Sequence, residues 1–122
     1  MDELKLCESD YRFMDVIWEN EPLPSRELVE LCARELGWKK STTYTTLKKL
    51  CEKGFAKNED TVVSALIPRD RVRAYESERF LERTFGGSLP AFIAAFTSRR
   101  KPTAKELAEI RKMLDSYDTT IS

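Results

Sequence analysis

Histidine is missing from all 122 residues, and cysteine occurs only three times, at Cys7, Cys32 and Cys51. The cysteines are widely spaced and form no CxxC pair. A Cys/His zinc site and any histidine-based triad are thereby excluded, and no metal site is expected. Buried free thiols are the expected state of the cysteines. Glycine is nearly as scarce, with four residues, and none builds a phosphate-cradling loop. Only scattered carboxylates at helix-surface positions remain for chemistry, so neither an enzyme nor a cofactor is expected. No apolar run approaches the ~20 residues of a membrane span. The opening MDELKLCESD also lacks the basic-then-apolar order of a signal peptide. A cytoplasmic protein with no membrane insertion is the expectation.

Net charge is absent too, since 21 basic side chains face 21 acidic ones. The balance hides a segregation. Residues 1–36 carry four basic and ten acidic side chains, whereas residues 39–57 carry six lysines against the single acid Glu52. Phosphate contacts act within a Debye length of ~8–10 Å, so a local basic stripe matters more than the sum. That stripe lies in WKKSTTYTTLKKLCEKGF, residues 38–55, around which the rest of the chain is organised.

Residues 1–8 read as a loose arm. Ser9 is a suitable N-cap for a first helix with Phe13, Met14, Ile17 and Trp18 on one face. Glu21-Pro22-Leu23-Pro24 stops it in an extended piece. Ser25 is placed to cap a second helix, with Leu28, Val29, Leu31, Cys32 and Leu36 as its buried stripe, and Gly37 ends it. Trp18 and Trp38 read as core residues. A third helix is expected from about Ser41, with Thr43, Leu47, Leu50 and Cys51 towards the core. Thr42, Tyr44, Thr45, Lys48 and Lys49 then fall mostly on the other side. Threonine and tyrosine are indifferent helix formers. An exposed face of them suits base edges, while lysines and helix N-terminal amides suit phosphates. Helix, short extended piece, helix, tight turn, helix is a helix-turn-helix order. Gly54 stops the third helix. The segments 55–57 and 62–67 read as two strands about a turn at Asn58-Glu59-Asp60-Thr61, the wing of a winged helix.

Beyond Pro68 the pattern is helical. Asp70 is the expected cap of a helix running to Phe85, broken by Gly86-Gly87. Ser88-Leu89-Pro90 opens a short helix. Thr103-Ala104-Lys105-Glu106 matches the capping box at the start of the last, and Arg99-Arg100-Lys101-Pro102 connects the two as a solvated linker. Phe80, Phe85, Leu89, Phe92, Ile93, Phe96, Leu107, Ile110 and Leu114 give these helices more apolar surface than one copy covers. Pairing with a second copy about a two-fold axis is the expected resolution. The fold class is therefore mainly α with a small β-hairpin. A winged helix-turn-helix domain at 1–69 precedes a helical dimerisation region at 70–122. The candidate DNA-binding residues are Arg26, Lys39, Lys40, Ser41, Thr42, Tyr44, Thr45, Lys48 and Lys49. Two other classes remain open, a ligand-sensing winged-helix regulator and a winged-helix protein-interaction module.

The runs FMDVIWENEPLPSRELVELC and GWKKSTTYTTLKKLCEKGF resemble the penicillinase-repressor family. There a tryptophan closes the first helix, and the recognition segment reads as Trp, polar residues, then a Thr-rich helix ending in Leu-x-x-Leu-x-x-Lys-Gly. Trp18, Trp38, Thr42, Thr45, Leu47, Leu50, Lys53 and Gly54 carry the match. The resemblance implies a homodimeric repressor on a palindromic double-stranded DNA operator of antibiotic-resistance or stress genes. It also implies a link to a membrane sensor protease pathway, with a cut in the dimerisation region before a phenylalanine that aligns with Phe96. Resistance repressors carry asparagine before that phenylalanine, whereas this chain carries Ala95. Copper-responsive members bind metal through a C-terminal cysteine cluster, and here every cysteine lies at or before position 51.

Overall fold

A computed structural model describes residues 4–121, with side chains as far as Tyr117. The elements run α1 (Glu8–Asn20), β1 (Leu23–Pro24), α2 (Ser25–Leu36), α3 (Lys40–Glu52), β2 (Ala56–Glu59), β3 (Val62–Ala65), α4 (Arg69–Phe85), α5 (Leu89–Arg99) and α6 (Ala104–Ile121). The chain divides into two compact units, one up to Glu78 and one from Arg79 onward. The division falls inside α4, downstream of the 69/70 boundary read from the sequence. No helix among the described residues is long and apolar enough to cross a membrane.

The first unit is a winged helix. Phe13, Met14 and Ile17 of α1, Leu28 and Cys32 of α2, and Thr43 and Leu50 of α3 meet in one buried core, closed by Phe55, Val63 and Val72. The i, i+1, i+4 spacing on α1 gives that helix a face wide enough to touch both α2 and the sheet. Trp38, just past the turn after α2, stacks on Phe13 with ring centroids 5.6 Å apart. Trp18 donates its indole N–H to the Ile67 carbonyl at 3.0 Å, which satisfies the polar edge of a partly buried ring. The three strands form an antiparallel sheet in the order β1-β3-β2. The short β1 pairs Leu23 with Val63 and Pro24 with Val62, so the extended piece between α1 and α2 belongs to the sheet.

Several local readings change. The arm is not loose over its described part, because Leu6 is buried and Leu4 packs against the core; residues 1–3 lie outside the described residues. Ser9 and Ser25 are not caps. They lie inside α1 and α2, whose N-cap positions belong to Cys7 and Pro24 and carry no side-chain cap. Ser25 is buried and its N–H goes to the Thr61 carbonyl at 2.8 Å, extending the sheet pairing of β1 into the first residue of α2. Helix α3 begins one residue before Ser41, and α4 includes Asp70 rather than starting after it. Only Cys32 is a buried thiol; Cys51 is half-buried and Cys7 exposed.

The second unit consists of the end of α4 with α5 and α6. Ser88 accepts from the Ala91 N–H at 3.1 Å and opens α5. At α6 the capping box is complete. The Glu106 N–H donates to Thr103 Oγ1 at 3.1 Å, and the Thr103 N–H donates to Glu106 Oε1 at 2.9 Å. The rings of Phe80, Phe85 and Phe92 pack edge to face, with centroids 5.5–6.0 Å apart. None of the residues 79–117 is buried.

Candidate nucleic-acid interface

Helix α3 is amphipathic in an unusual sense, because both of its faces carry threonine. Thr43, Thr46, Leu47 and Leu50, at i, i+3, i+4 and i+7, are buried. Thr43 donates its hydroxyl to the Lys39 carbonyl at 3.2 Å, so this fully buried hydroxyl is satisfied. Lys40, Ser41, Thr42, Tyr44, Thr45 and Lys48 form the exposed face. Lys39 is exposed just before the helix. Gly54 ends α3 at φ 84, with its N–H on the Cys51 carbonyl (3.1 Å) and the Phe55 N–H on the Leu50 carbonyl (2.9 Å). This double hydrogen bond is the Schellman closure, which needs a left-handed residue at that point. It drops Phe55 into the core and launches β2 directly from the end of the helix. The wing is thus fixed beside α3 by three consecutive residues.

The wing itself is short and acidic. Its turn is Asp60-Thr61, both at positive φ (51 and 63), the two-residue turn whose twist matches antiparallel strands. Lys57 is paired with Glu59 at 2.8 Å and holds that carboxyl below its ordinary range. The Lys57 charge is therefore met within the wing. Asn58, assigned to the turn in the sequence reading, lies instead in β2 opposite Val63. There it shares a groove with Tyr44, Leu47, Lys48 and Cys51. The polar Asn-Glu-Asp-Thr run concealed this placement, because it reads as one four-residue turn and only its last two residues bend.

The structure brings Lys39, Lys40, Ser41, Thr42, Tyr44, Thr45 and Lys48 onto one surface. Arg26 is exposed in the first turn of α2. Lys49 is placed differently. Its ammonium lies 2.9 Å from both carboxylate oxygens of Asp10 in α1, so its charge is already met inside the protein. The thiols beside this face stay neutral. Burial raises Cys32 to about 11, against a lowering hydrogen bond from Thr43 and with a further rise from Glu35. Cys51 is raised by burial and then by Glu52. In the second unit, Ala95 and Phe96 both lie inside α5 and are exposed, with the Arg100 guanidinium 5.5 Å from the centre of the Phe96 ring.

A winged helix-turn-helix followed by a helical region is the fold of these residues. The penicillinase-repressor pattern matches residues 6–116. The chain belongs to that family, which comprises transcriptional repressors rather than enzymes. It is 20% identical over 117 residues to a penicillinase repressor of Bacillus licheniformis, covering 93% of this chain and 91% of that one. It is 21% identical over 120 residues to an uncharacterized 16.5 kDa protein from the ptsI 3' region of Latilactobacillus sakei, covering 95% and 82% respectively.

Proposed function

We propose that the protein is a cytoplasmic, homodimeric repressor that binds an inverted-repeat operator in double-stranded DNA, each copy inserting α3 into one major groove. The observation that carries this reading is the sorting of α3. Its hydrocarbon and two of its threonines are buried, while Ser41, Thr42, Tyr44 and Thr45 stand exposed among Lys39, Lys40 and Lys48. Hydroxyls and a phenol face base edges, and unpaired ammonium groups flank them for phosphates. Arg26 adds a cation at the start of α2, where a phosphate also gains from the helix amides.

The second copy follows from the second unit. Phe80, Leu89, Ile93, Phe96, Leu107, Ile110 and Leu114 are all exposed, and an apolar surface of this kind calls for a partner. Two-fold pairing gives half-sites separated by about one helical turn, ~10 bp, or a multiple of it. Phe96 serves this face. The Ala95–Phe96 bond lies in a closed helix, and a protease of the sensor pathway would first have to unwind α5.

The test uses a duplex selected by the wild-type protein from a random library, and random DNA beside it. Lys48→Ala weakens both DNAs alike and lowers the salt slope by about one unit. Thr45→Ala costs ~1–3 kcal/mol on the selected duplex and little on random DNA. Binding that is absent at moderate salt sinks the reading in favour of a protein-interaction module.

A further inference from the structure

Of the six lysines in residues 39–57, Lys39, Lys40, Lys48 and Lys53 make no ion pair among the described residues, and Lys57 is neutralised within the wing. Lys49 differs from all of them. It sits between the exposed Lys48 and the buried Leu50, where the outer face of α3 rolls into the core. Its partner Asp10 is 5% exposed, so the carboxylate is held out of solvent. One ammonium meets both oxygens at 2.9 Å. Handing that ammonium to a phosphate would strand a buried carboxylate, which is far more costly than losing an exposed contact.

We infer that the Asp10–Lys49 pair is a positioning lock that sets the roll of α3 about its own axis and so determines which hydroxyls meet which bases. The inference rests on the DNA-binding reading of α3. Burial of Thr43, Leu47 and Leu50 decides which face of α3 turns inward, but burial is itself non-directional and leaves the finer roll to other contacts. A charge-assisted pair has direction and length. Successive residues of a helix are 100° apart, and a roll of a fraction of that angle exchanges Thr45 for a neighbour at the groove floor. Lys49 is then a positioning residue, and the phosphate ligands of α3 are the lysines left unpaired.

The two roles give opposite results when Asp10 is changed and Lys49 is kept. Asp10→Asn, in the full-length protein, is measured on the selected duplex and on random DNA across a salt series. The ratio of the two dissociation constants cancels any inactive fraction of the sample. For a lock, that ratio falls about tenfold, the size of one lost base contact, and the salt slope stays as in the wild type. For a phosphate ligand, freeing Lys49 tightens both DNAs, leaves the ratio unchanged and raises the slope by about one; that result overturns the inference. The exchanged pair, Asp10→Lys with Lys49→Glu, restores the ratio to within about threefold of the wild type, even though an acid at position 49 weakens binding to both DNAs. A ratio that stays low in the exchanged pair also overturns it. Wild-type protein that shows no salt-dependent DNA binding removes the DNA reading itself, an outcome visible before any variant is made.

Discussion

The two units of this chain are stabilised by different means. In the first, three helices and a small sheet close over Phe13, Met14, Ile17, Leu28, Leu50, Phe55 and Val63, each almost wholly removed from water. Tertiary burial is so complete there that α1, α2 and α3 all begin without a side-chain cap. In the second, none of residues 79–117 is buried, and the helix starts are closed locally, by Ser88 at α5 and by Thr103 with Glu106 at α6. Local hydrogen bonds hold each helix in shape while its apolar side chains wait for a surface. The difference indicates a division of labour. On the proposed function, one unit is finished as a monomer, with its polar face left for DNA, and the other is unfinished, with its apolar face left for a copy of itself.

The largest effect should come from removing the unfinished part. Deleting residues 86–122 is expected to give monomers by sedimentation, and to weaken operator binding about 100-fold or more, because two linked recognition helices act at high effective concentration and one does not. Random DNA should be bound more weakly too, with a salt slope about half that of the dimer. A truncated protein that stays dimeric would move the interface into the winged helix and end the proposed division.

Next in size is a matched pair of phenylalanine truncations. Phe13 is fully buried and stacks on Trp38, so Phe13→Ala should cost ~3–5 kcal/mol in urea unfolding. Phe96 is 44% exposed. Phe96→Ala should therefore change the unfolding of dilute protein by less than ~1 kcal/mol while shifting the monomer–dimer equilibrium towards monomer. Equal unfolding costs for the two variants would show that Phe96 is buried within its own chain.

The same contrast explains what could be read from the sequence. The winged helix was legible because burial imposes periodicity. Thr43, Leu47 and Leu50 fall on one face of α3 whatever the sequence context, and Gly37 and Gly54 mark its two flanking turns with left-handed backbone. Long-range pairings left no such trace. Strand β1 is two residues long and is created by Val62 and Val63, so nothing local distinguishes Leu23-Pro24 from a loop. Ser25 looks like a cap, yet it is the first residue inside α2, tied to the distant wing through its N–H on the Thr61 carbonyl. The run 58–61 reads as a wider turn than the chain makes, because Asp60-Thr61 lacks the glycine that usually announces positive φ. Lys49 looked like another surface lysine, since its partner Asp10 is 39 residues away. The capping box at Thr103, by contrast, was visible at once, because its chemistry is confined to four residues.

That capping box provides the smallest and most local test. Replacing Thr103 with alanine removes the hydroxyl that accepts the Glu106 N–H, and should cost ~1 kcal/mol of helix stability at pH 7. The reciprocal bond adds a pH dependence of known sign. The Glu106 carboxyl is depressed from its ordinary value of 4.5, first by the Thr103 N–H, against the opposing effect of burial, and then by the Arg100 charge. A depressed carboxyl stabilises the folded form above its ordinary value, and that contribution is lost as pH falls below 4.5 and through the depressed value. Amide exchange at residues 104–107 should therefore quicken in acid in the wild type. In Glu106→Ala it should be fast throughout and nearly independent of pH, once the intrinsic exchange rate is divided out. No effect on the buried amides of α3 is expected from either change. If acid loosened both units together, α6 would be held by the same cooperative core as α3, and local capping would not be what distinguishes the second unit from the first.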